Sequence, residues 1–323
     1  MFSKVFHKTI SVFSIGCLSL FVALPTSINA QIKATEGTQR MKSLTEKTTR
    51  ASNSTLKDIN FRNIGPSIMS GRVDDLEVNP NNPIEFYIAY ATGGLWHTTN
   101  NGQSFTPIFD KEAVVGIGDI AVDWKNNTIW IGTGEVNSSR SSYAGIGVYK
   151  SKDNGKTWEY MGLPESHHIG KILLNPNNPD EAWVAVLGHL YSPNKDRGVY
   201  KTSDGGKSWK HTLFIDDNTG AVEMEINPTN PKEIYAAAWH RIRKAWDFVE
   251  GGKTSGIYKS NDGGETWQLS TSATSGFPQG NGIGRIGLAV YPQDPSIVYA
   301  VVDNYNLKLD TTKADTGRIA VKD

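Results

Sequence analysis

A short pattern, (Ser/Thr)-x-Asp-x-Gly-x-(Ser/Thr)-Trp, recurs along the chain at a nearly constant spacing. Three copies are complete, at Ser151–Trp158, Thr202–Trp209 and Ser260–Trp267, and a degenerate copy occupies Thr98–Phe105. Their first residues are 53, 51 and 58 positions apart. A repeat of this length predicts an array of similar structural units rather than one irregular core. We call each copy an Asp box.

The residues around each Asp box also repeat. A glycine, an apolar residue, an aromatic residue and a basic residue precede it, as in Gly147–Lys150 and Gly198–Lys201. Asn/Pro turns such as Asn175–Pro179 lie between the boxes, and a dense apolar run such as Glu181–Leu187 follows. One unit is therefore predicted to be four antiparallel strands joined by tight turns. Four such strands in about 50 residues make the blade of a β-propeller.

The chain is predicted to be all-β, without helix beyond its first 30 residues. Residues 58–323 hold material for about five blades at roughly 50 residues each. No fifth Asp box follows Tyr299–Asp303. We therefore expect the propeller to be incomplete at its C-terminal end and part of a larger one. The last blade would then leave Ile286, Leu288 and Val290 uncovered.

The Asp boxes are interpreted as structural. The carboxylate would accept hydrogen bonds from its own turn, the glycine would supply a positive φ, and the tryptophan would pack between blades. Calcium ligation needs further carboxylates that the boxes lack. The residues given this role are Asp153, Gly155, Trp158, Asp204, Gly206, Trp209, Asp262, Gly264 and Trp267.

The N-terminal segment is typical of an export signal. Lys4 and Lys8 precede an apolar run at 10–24, and small residues end the segment at Ala30. Residues 1–30 are therefore predicted to be a signal peptide, which places the protein outside the cell, at its surface or in the periplasm. The one cysteine, Cys17, lies inside it, so the mature chain would have no disulfides. No transmembrane segment is expected in the mature chain either. Residues 31–57 are polar and are predicted to be a flexible leader.

The charge balance restricts the partners. The chain has 33 basic and 33 acidic residues and no basic stripe. This argues against nucleic acid and favours a protein, a peptide or a carbohydrate as the ligand. No cofactor is expected.

The loops between strands 2 and 3 of a blade, and those between strand 4 and the next blade, share one face of a propeller. Arginine, histidine and aromatic side chains concentrate there and could bind an anionic or hydroxyl-rich ligand. Alternatively, they cap strand ends and join blades. The candidates are Arg72, Arg140, Tyr143, His168, His189, His240, Arg241, Arg243, Trp246 and Arg285. Zinc binding by His167, His168 and His189 lacks any recognised spacing, and we expect no metal site.

An enzymatic alternative needs two carboxyl groups on this face, as in glycoside hydrolases. The candidates are Asp74, Glu135 and Asp217, with Asp75 and Asp247 as further choices. The arginines, with Tyr143 and Glu135, would also suit a sialidase-like site. No nucleophile elbow is present for Ser-His-Asp chemistry.

Several ordered motifs resemble bacterial BNR/Asp-box propellers that are grouped with the N-terminal domain of sortilin (Vps10). They include Phe61–Pro66, Gly93–Trp96, Gly132–Glu135 and Ile283–Leu288, and the resemblance spans about residues 60–302. It implies a secreted propeller that belongs to a longer protein. Many members are labelled glycosyl hydrolases, so the resemblance is compatible with a binding scaffold and with a glycosidase.

A more distant resemblance is to xyloglucan-active glucanases with two propellers. Their first blade carries an Arg-Thr-Asp-x-Gly-Gly segment that supplies the catalytic base. The matching segment here is Ala89–Gly94, with Ala91 at the position of that aspartate. We therefore expect a binding scaffold at the loop face, with a glycoside hydrolase as the alternative.

Overall fold

The computed structural model describes residues 34–59 and 71–306. Contacts divide the chain into two units, Met1–Ala34 and Thr35–Asp323, and the fold below is that of the second. The predicted signal peptide, the Phe61–Pro66 motif and the tail beyond residue 306 lie outside the described residues. Within them, no helix is long and apolar enough to cross a membrane.

The described strands form four four-stranded antiparallel sheets, one two-stranded sheet and one small hairpin. Blade 1 contains β1 (Val73–Val78), β2 (Phe86–Tyr90), β3 (Gly94–Thr98) and β4 (Thr106–Pro107). Blade 2 contains β5 (Ile117–Asp123), β6 (Thr128–Thr133), β7 (Val148–Ser151) and β8 (Glu159–Tyr160). Blade 3 contains β9 (Ile169–Asn175), β10 (Asn178–Val186), β11 (Gly198–Thr202) and β12 (Lys210–Leu213).

Blade 4 is interrupted by a hairpin within its loop between strands 2 and 3. The blade consists of β13 (Thr219–Ile226), β14 (Ile234–His240), β17 (Gly256–Ser260) and β18 (Gln268–Leu269). The hairpin pairs β15 (Ile242–Arg243) with β16 (Phe248–Val249). Blade 5 is represented by β19 (Ile283–Val290) and β20 (Val298–Asn304). The prediction of an all-β propeller with four-stranded blades is thus confirmed.

The structure contains one helix that the sequence analysis did not predict. Helix α1 (Gly37–Ser52) lies in the segment expected to be a flexible leader. The low apolar content of this segment led to the expectation of a flexible leader. The segment nevertheless contains several good helix formers, namely Gln, Arg, Met, Lys, Leu and Glu. Met41 packs against a core cluster of blades 1 and 2. The guanidinium of Arg40 donates to the carbonyls of Gly145 and Pro164. The leader is therefore attached to the propeller by these contacts.

The first strands of successive blades lie side by side, and each carries an irregularity near its start. The pairing register shifts at Val73/Asp75 in β1 and at Ile117/Asp119 in β5, for example. At the bulge of β5, a Cβ added to Gly118 would lie 2.0 Å from the carbonyl oxygen of Ile169. Only glycine allows the first strands of blades 2 and 3 to approach this closely.

The apolar core lies between the blades. Trp130 and Met161 of blade 2 share a buried cluster with Ile172 and Val184 of blade 3. Long buried runs in the second strands, such as Ala182–Val186 in β10 and Ile234–Trp239 in β14, give the sheets apolar faces to bury. Burial of these faces joins consecutive blades and is the main stabilising term of such a fold.

Each complete Asp box is closed by its own side chains. In the second, Asp204 accepts hydrogen bonds from the backbone N–H of Ser208 (2.9 Å) and from its hydroxyl (2.6 Å). Gly206 has a φ of 95°, and the indole N–H of Trp209 donates to the carbonyl of Met161 at 2.7 Å. Trp209 therefore joins its box to the preceding blade. The corresponding indoles of Trp158 and Trp267 bond to Ile108 and Thr212.

The last described sheet is packed differently from the expectation. Ile286 and Val290, expected to be uncovered, are buried in a cluster with blade 4, and Leu288 is partly buried against it. That part of the expectation is wrong, because β19 covers the side of blade 4. The exposed apolar side chains lie on β20, where Tyr299 is 62% and Val301 79% exposed.

Candidate functional site

Two sets of loops form the face that the sequence analysis selected, which we call the loop face. The loops between strands 2 and 3 are residues 91–93, 134–147, 187–197 and 241–255, and those between blades are 108–116, 161–168, 214–218 and 270–282. Backbone hydrogen bonds connect the two sets, as from Gly145 N to His167 O at 2.6 Å and from Asn194 N to Asp217 O at 3.0 Å. The loop face is therefore a hydrogen-bonded surface rather than a group of separate loops.

A polar cavity of about 250 Å³ lies among the first strands of all five blades. Its lining includes at least one charged residue near each register shift. These residues are Asp75, Asp119, Lys171, Glu223 and Arg285. The sequence analysis did not select the middle three, although an apolar-Gly-charged triplet at the start of β5, β9 and β19 is a signal for this position.

Three of these charged residues, Asp75, Asp119 and Lys171, join neighbouring blades. The Asp75 carboxylate accepts the backbone N–H of Ile120 at 3.1 Å, and Asp119 accepts that of Ile172 at 2.7 Å. Lys171 also contacts Asp119 at 3.2 Å. The charge of Asp119 raises the pKa of Lys171, so the lysine stays protonated. These bonds satisfy backbone donors of the next blade, so Asp75 and Asp119 have a structural role.

Four of the predicted site residues meet at one side of this cavity. The guanidinium of Arg72 contacts the Glu135 carboxylate at 2.6 Å, and Ser142 donates to the same carboxylate at 2.5 Å. Asn137 donates to Asp74 at 3.3 Å and accepts from Arg285 at 2.9 Å. We call Arg72, Asp74, Glu135, Asn137 and Arg285 the acidic–basic cluster.

Asp74 is the unusual member of the acidic–basic cluster. Its Oδ2 atom is buried and has no hydrogen-bond partner among the described residues. Burial, and then the charge of Glu135, raises the pKa of Asp74 to about 7, against the opposing effect of Arg72 and Arg285. A carboxyl group that holds a proton near neutrality can act as a proton donor. Glu135 is fully buried and engaged by Arg72 and Ser142, so it is not exposed to a ligand.

Two other candidates are buried and bonded within the protein. Arg241 donates to Ser138 Oγ at 2.8 Å and to the carbonyl of Gly188 at 3.3 Å, which joins three blades. His168 donates from Nδ1 to the carbonyl of Glu135 at 2.7 Å. Burial, and then the charge of Arg241, lowers the pKa of His168 to about 3. For these two residues the structure favours the alternative that they hold loops together.

The remaining candidates are dispersed. His240 contacts the hydroxyls of Thr219 and Thr254 at 3.2 Å. Arg243 lies over the ring of Phe248 at 4.6 Å in the small hairpin. Asp217 is partly buried, and its carbonyl accepts a bond from Asn194. Asp217 is not in the acidic–basic cluster.

Exposed aromatic side chains lie on the loop between strands 2 and 3 in three consecutive blades. Tyr143 of blade 2 is 65% exposed, Tyr191 of blade 3 is 48% exposed and Trp246 of blade 4 is 81% exposed. The hydroxyl of Tyr191 donates to the carbonyl of Arg140 at 3.1 Å, which connects the loops of blades 2 and 3. The sequence analysis selected Tyr143, Arg140 and Trp246 but not Tyr191. We call Tyr143, Tyr191 and Trp246 the aromatic row.

His189 belongs to a third group, with Glu165 and His167. Glu165 Oε2 lies 3.6 Å from His167 Nε2 and 3.3 Å from His189 Nε2. The two imidazole rings are 3.9 Å apart, and Glu165 Oε1 accepts the backbone N–H of Gly37 at the start of α1. Among the described residues, these three side chains are the group that could hold a metal ion.

A family model described as "Sortilin, neurotensin receptor 3" matches residues 147–308, which are 162 of the 323 residues. The chain belongs to the sortilin/Vps10 family. The matched range contains blade 3, blade 4, β19 and β20, together with part of blade 2. The sequence resemblance to the sortilin group is thereby confirmed.

Curated relatives of this sortilin/Vps10-family chain fall in two groups. The chain is 25% identical over 199 residues to vacuolar protein sorting/targeting protein 10 of Kluyveromyces lactis, covering 55% of this chain and 12% of that protein. It is 26% identical over 247 residues to a probable oligoxyloglucan-reducing end-specific xyloglucanase of Neosartorya fischeri, covering 66% and 29%. The chain thus spans less than a third of the length of either relative.

Solved structures support the fold. A GH74 enzyme from Niastella koreensis superposes with a TM-score of 0.52 at 24% identity, over 71% of this chain and 35% of that one. An ancestral GH74 enzyme gives a TM-score of 0.53 at 20% identity, over 76% and 32%. Identities this low carry the propeller architecture and nothing about activity.

Proposed function

We propose that the protein is exported and that its propeller is a binding scaffold, with the aromatic row as the centre of the ligand site. The ligand is a protein, a peptide or a carbohydrate. The observation that carries the proposal is the exposure of an aromatic side chain on the same loop in three consecutive blades. Large aromatic side chains at a surface contribute strongly to binding, because their rings provide contact area at a low entropic cost.

The surroundings of the aromatic row suit a polar ligand. Arg140 is exposed beside Tyr191, and Lys244 and Asp247 flank Trp246 at the tip of the hairpin. A ring face with adjacent charged groups can stack on a sugar or on an apolar side chain while the charges bind its polar groups. Both relatives named above are compatible with this site, since one is called a sorting protein and the other acts on an oligosaccharide.

The test measures binding on a peptide array and on a glycan array that includes xyloglucan oligosaccharides. A Tyr143→Ala/Trp246→Ala double variant is compared with the wild type and with Tyr299→Ala. Tyr299 is a matched control, because it is similarly exposed but lies on β20. We expect probes that bind the wild type and Tyr299→Ala to lose at least about tenfold in affinity, or about 1.4 kcal/mol, in the double variant. Equal losses in both variants, or no bound probe at all, would contradict the proposal.

A glycoside hydrolase is the second candidate, favoured by the raised pKa of Asp74 beside Glu135. Two features weigh against it. Ala91, at the position of the catalytic aspartate of the xyloglucan-active enzymes, is buried, and its N–H donates to the carbonyl of Arg72 at 3.0 Å. The cavity beside Asp74 is also smaller than the roughly 300–1,000 Å³ of usual ligand pockets. Release of reducing ends from xyloglucan by the wild type, lost in Asp74→Asn, would make the hydrolase the better interpretation.

A further inference from the structure

The group formed by Glu165, His167 and His189 has the composition and spacing of a metal site. It joins the loop that precedes blade 3 to the loop between strands 2 and 3 of that blade. Two imidazoles and one carboxylate are a ligand set typical of zinc. The sequence analysis considered His167, His168 and His189 instead. In the structure, the third member of the group is Glu165 rather than His168. Nδ1 of His168 instead donates to the carbonyl of Glu135.

The distances between the ligand atoms of these side chains are close to those around a bridging ion. Ligand atoms at about 2.0–2.1 Å from a tetrahedral zinc ion are roughly 3.3–3.4 Å from one another. Glu165 Oε2 lies 3.3 Å from His189 Nε2 and 3.6 Å from His167 Nε2. Hydrogen bonds between nitrogen and oxygen usually measure about 2.7–3.2 Å. The three ligand atoms all lie within 4.8 Å of one another.

The burial of His167 is a second, independent indication. His167 is 8% exposed, and its Nε2 atom has no hydrogen-bond partner in the described part of the chain. A buried polar atom without a partner is unfavourable, and a bound ion would satisfy it.

The surrounding contacts orient the ligands. His189 Nδ1 lies 2.9 Å from Ser192 Oγ, and donation of its proton there leaves the lone pair of Nε2 free for the ion. The backbone N–H of Gly37 holds Glu165 Oε1, so Oε2 is the oxygen available to the ion. Arg40 lies near this site, but its guanidinium donates to the carbonyls of Gly145 and Pro164.

We propose that Glu165, His167 and His189 bind one zinc-class divalent metal ion and thereby fasten blade 3, the preceding loop and helix α1 to one another. Three protein ligands leave a fourth position for water or for a group of the ligand that the loop face captures. The proposal does not depend on the aromatic row.

The experiment titrates Zn²⁺ into the full chain, freed of any affinity tag, by isothermal calorimetry and follows the melting temperature. The wild type is expected to bind one equivalent with a Kd of about 1 μM or lower and to melt at a higher temperature with the metal. Co²⁺ in its place should give the visible absorption of a tetrahedral site. His189→Ala and Glu165→Gln should each weaken binding at least about tenfold. Glu165→Gln serves as a second test in case His189→Ala alters its loop. The Gln side chain can still accept the hydrogen bond from the backbone N–H of Gly37.

His97→Ala is the matched control. His97 pairs with Glu85 at 3.1 Å, but no third metal-binding side chain joins this pair in the described ranges. This variant should bind Zn²⁺ as the wild type does. The proposal is overturned if the wild type binds no zinc, or if Glu165→Gln and His189→Ala bind it as tightly as His97→Ala does.

Discussion

Replacement of Asp74 by Asn should stabilise the protein most at pH 8, and this stabilisation should shrink as the pH falls toward 4. Asp74 is partly buried, with Oδ2 lacking a partner among the described residues and Oδ1 3.3 Å from the amide of Asn137. Burial, followed by the charge of Glu135, raises its pKa from 3.8 to about 7. Asn has the shape of the protonated carboxyl group and no charge at any pH.

The sign follows from proton uptake on folding. Between pH 4 and pH 7 the folded protein holds a proton on Asp74 that the unfolded chain has lost, so this group makes stability fall as the pH rises through that window. Above pH 7 the folded wild type has an ionised, poorly solvated carboxylate, whereas Asp74→Asn does not. Other groups that titrate in the same window, such as Glu77 and Glu225, are present in both proteins.

The magnitude is limited by partial exposure. A shift of about three pKa units corresponds to at most about 4 kcal/mol. Solvent screening of a group that is only partly buried reduces this to about 1–2 kcal/mol at pH 8. The melting temperature of Asp74→Asn should therefore exceed that of the wild type by roughly 2–6 °C at pH 8. Differential scanning calorimetry at pH 5, 6, 7 and 8 measures the difference directly.

Asp204→Asn is the control with the opposite sign. The hydrogen bonds from the hydroxyl and then the N–H of Ser208 lower the pKa of Asp204 to about 2. Its contribution to stability is present above pH 4 and is lost as the pH falls through 2, so this variant should be less stable than the wild type at every pH of the series. A difference between Asp74→Asn and the wild type that is constant from pH 5 to pH 8, or that is negative at pH 8, would refute the reasoning.

Three further results are expected from the packing. Gly118→Ala should lose about 3 kcal/mol or more of the free energy of unfolding in urea, because its Cβ meets a backbone oxygen at 2.0 Å. Gly287→Ala in β19 should lose no free energy of unfolding, since no atom lies within 4 Å of its added Cβ. Equal losses in the two variants would contradict the steric role of Gly118 at the bulge. Trp209→Phe should lose about 1–3 kcal/mol in the same assay, because the carbonyl of Met161 loses its donor. Val301→Lys should reduce self-association in light scattering without changing the circular dichroism, because Val301 is 79% exposed, and unchanged scattering would count against β20 as an associating surface.

The features that could be predicted from the sequence are those made by residues close together along it. An Asp box closes on itself within four positions, from Asp204 to Ser208, so its pattern is read directly. The dense apolar runs within β10 and β14 likewise predict buried strands, and residues 182–186 and 234–239 are buried. Helix α1 was missed, since a polar segment can be helical when a few contacts, such as those of Arg40 and Met41, hold it.

The candidate site could be predicted only in part. Arg72 and Glu135 were selected from the sequence, and they meet across 63 positions. Nothing in the sequence separates this pair from Asp217, which is not in the cluster, or from Arg241, which is buried. Glu165 was not selected because its partner His189 lies 24 positions away in another loop.

The sequence by itself determined the repeating unit, its four strands and its Asp boxes, because hydrogen bonds between near neighbours and side-chain alternation depend on local order. Only the tertiary structure decided which charges meet in the cavity, which aromatic side chains stay exposed and which histidines face Glu165. Those contacts depend on the rotation from blade to blade and on the path of each loop. A spacing along the chain specifies neither of them.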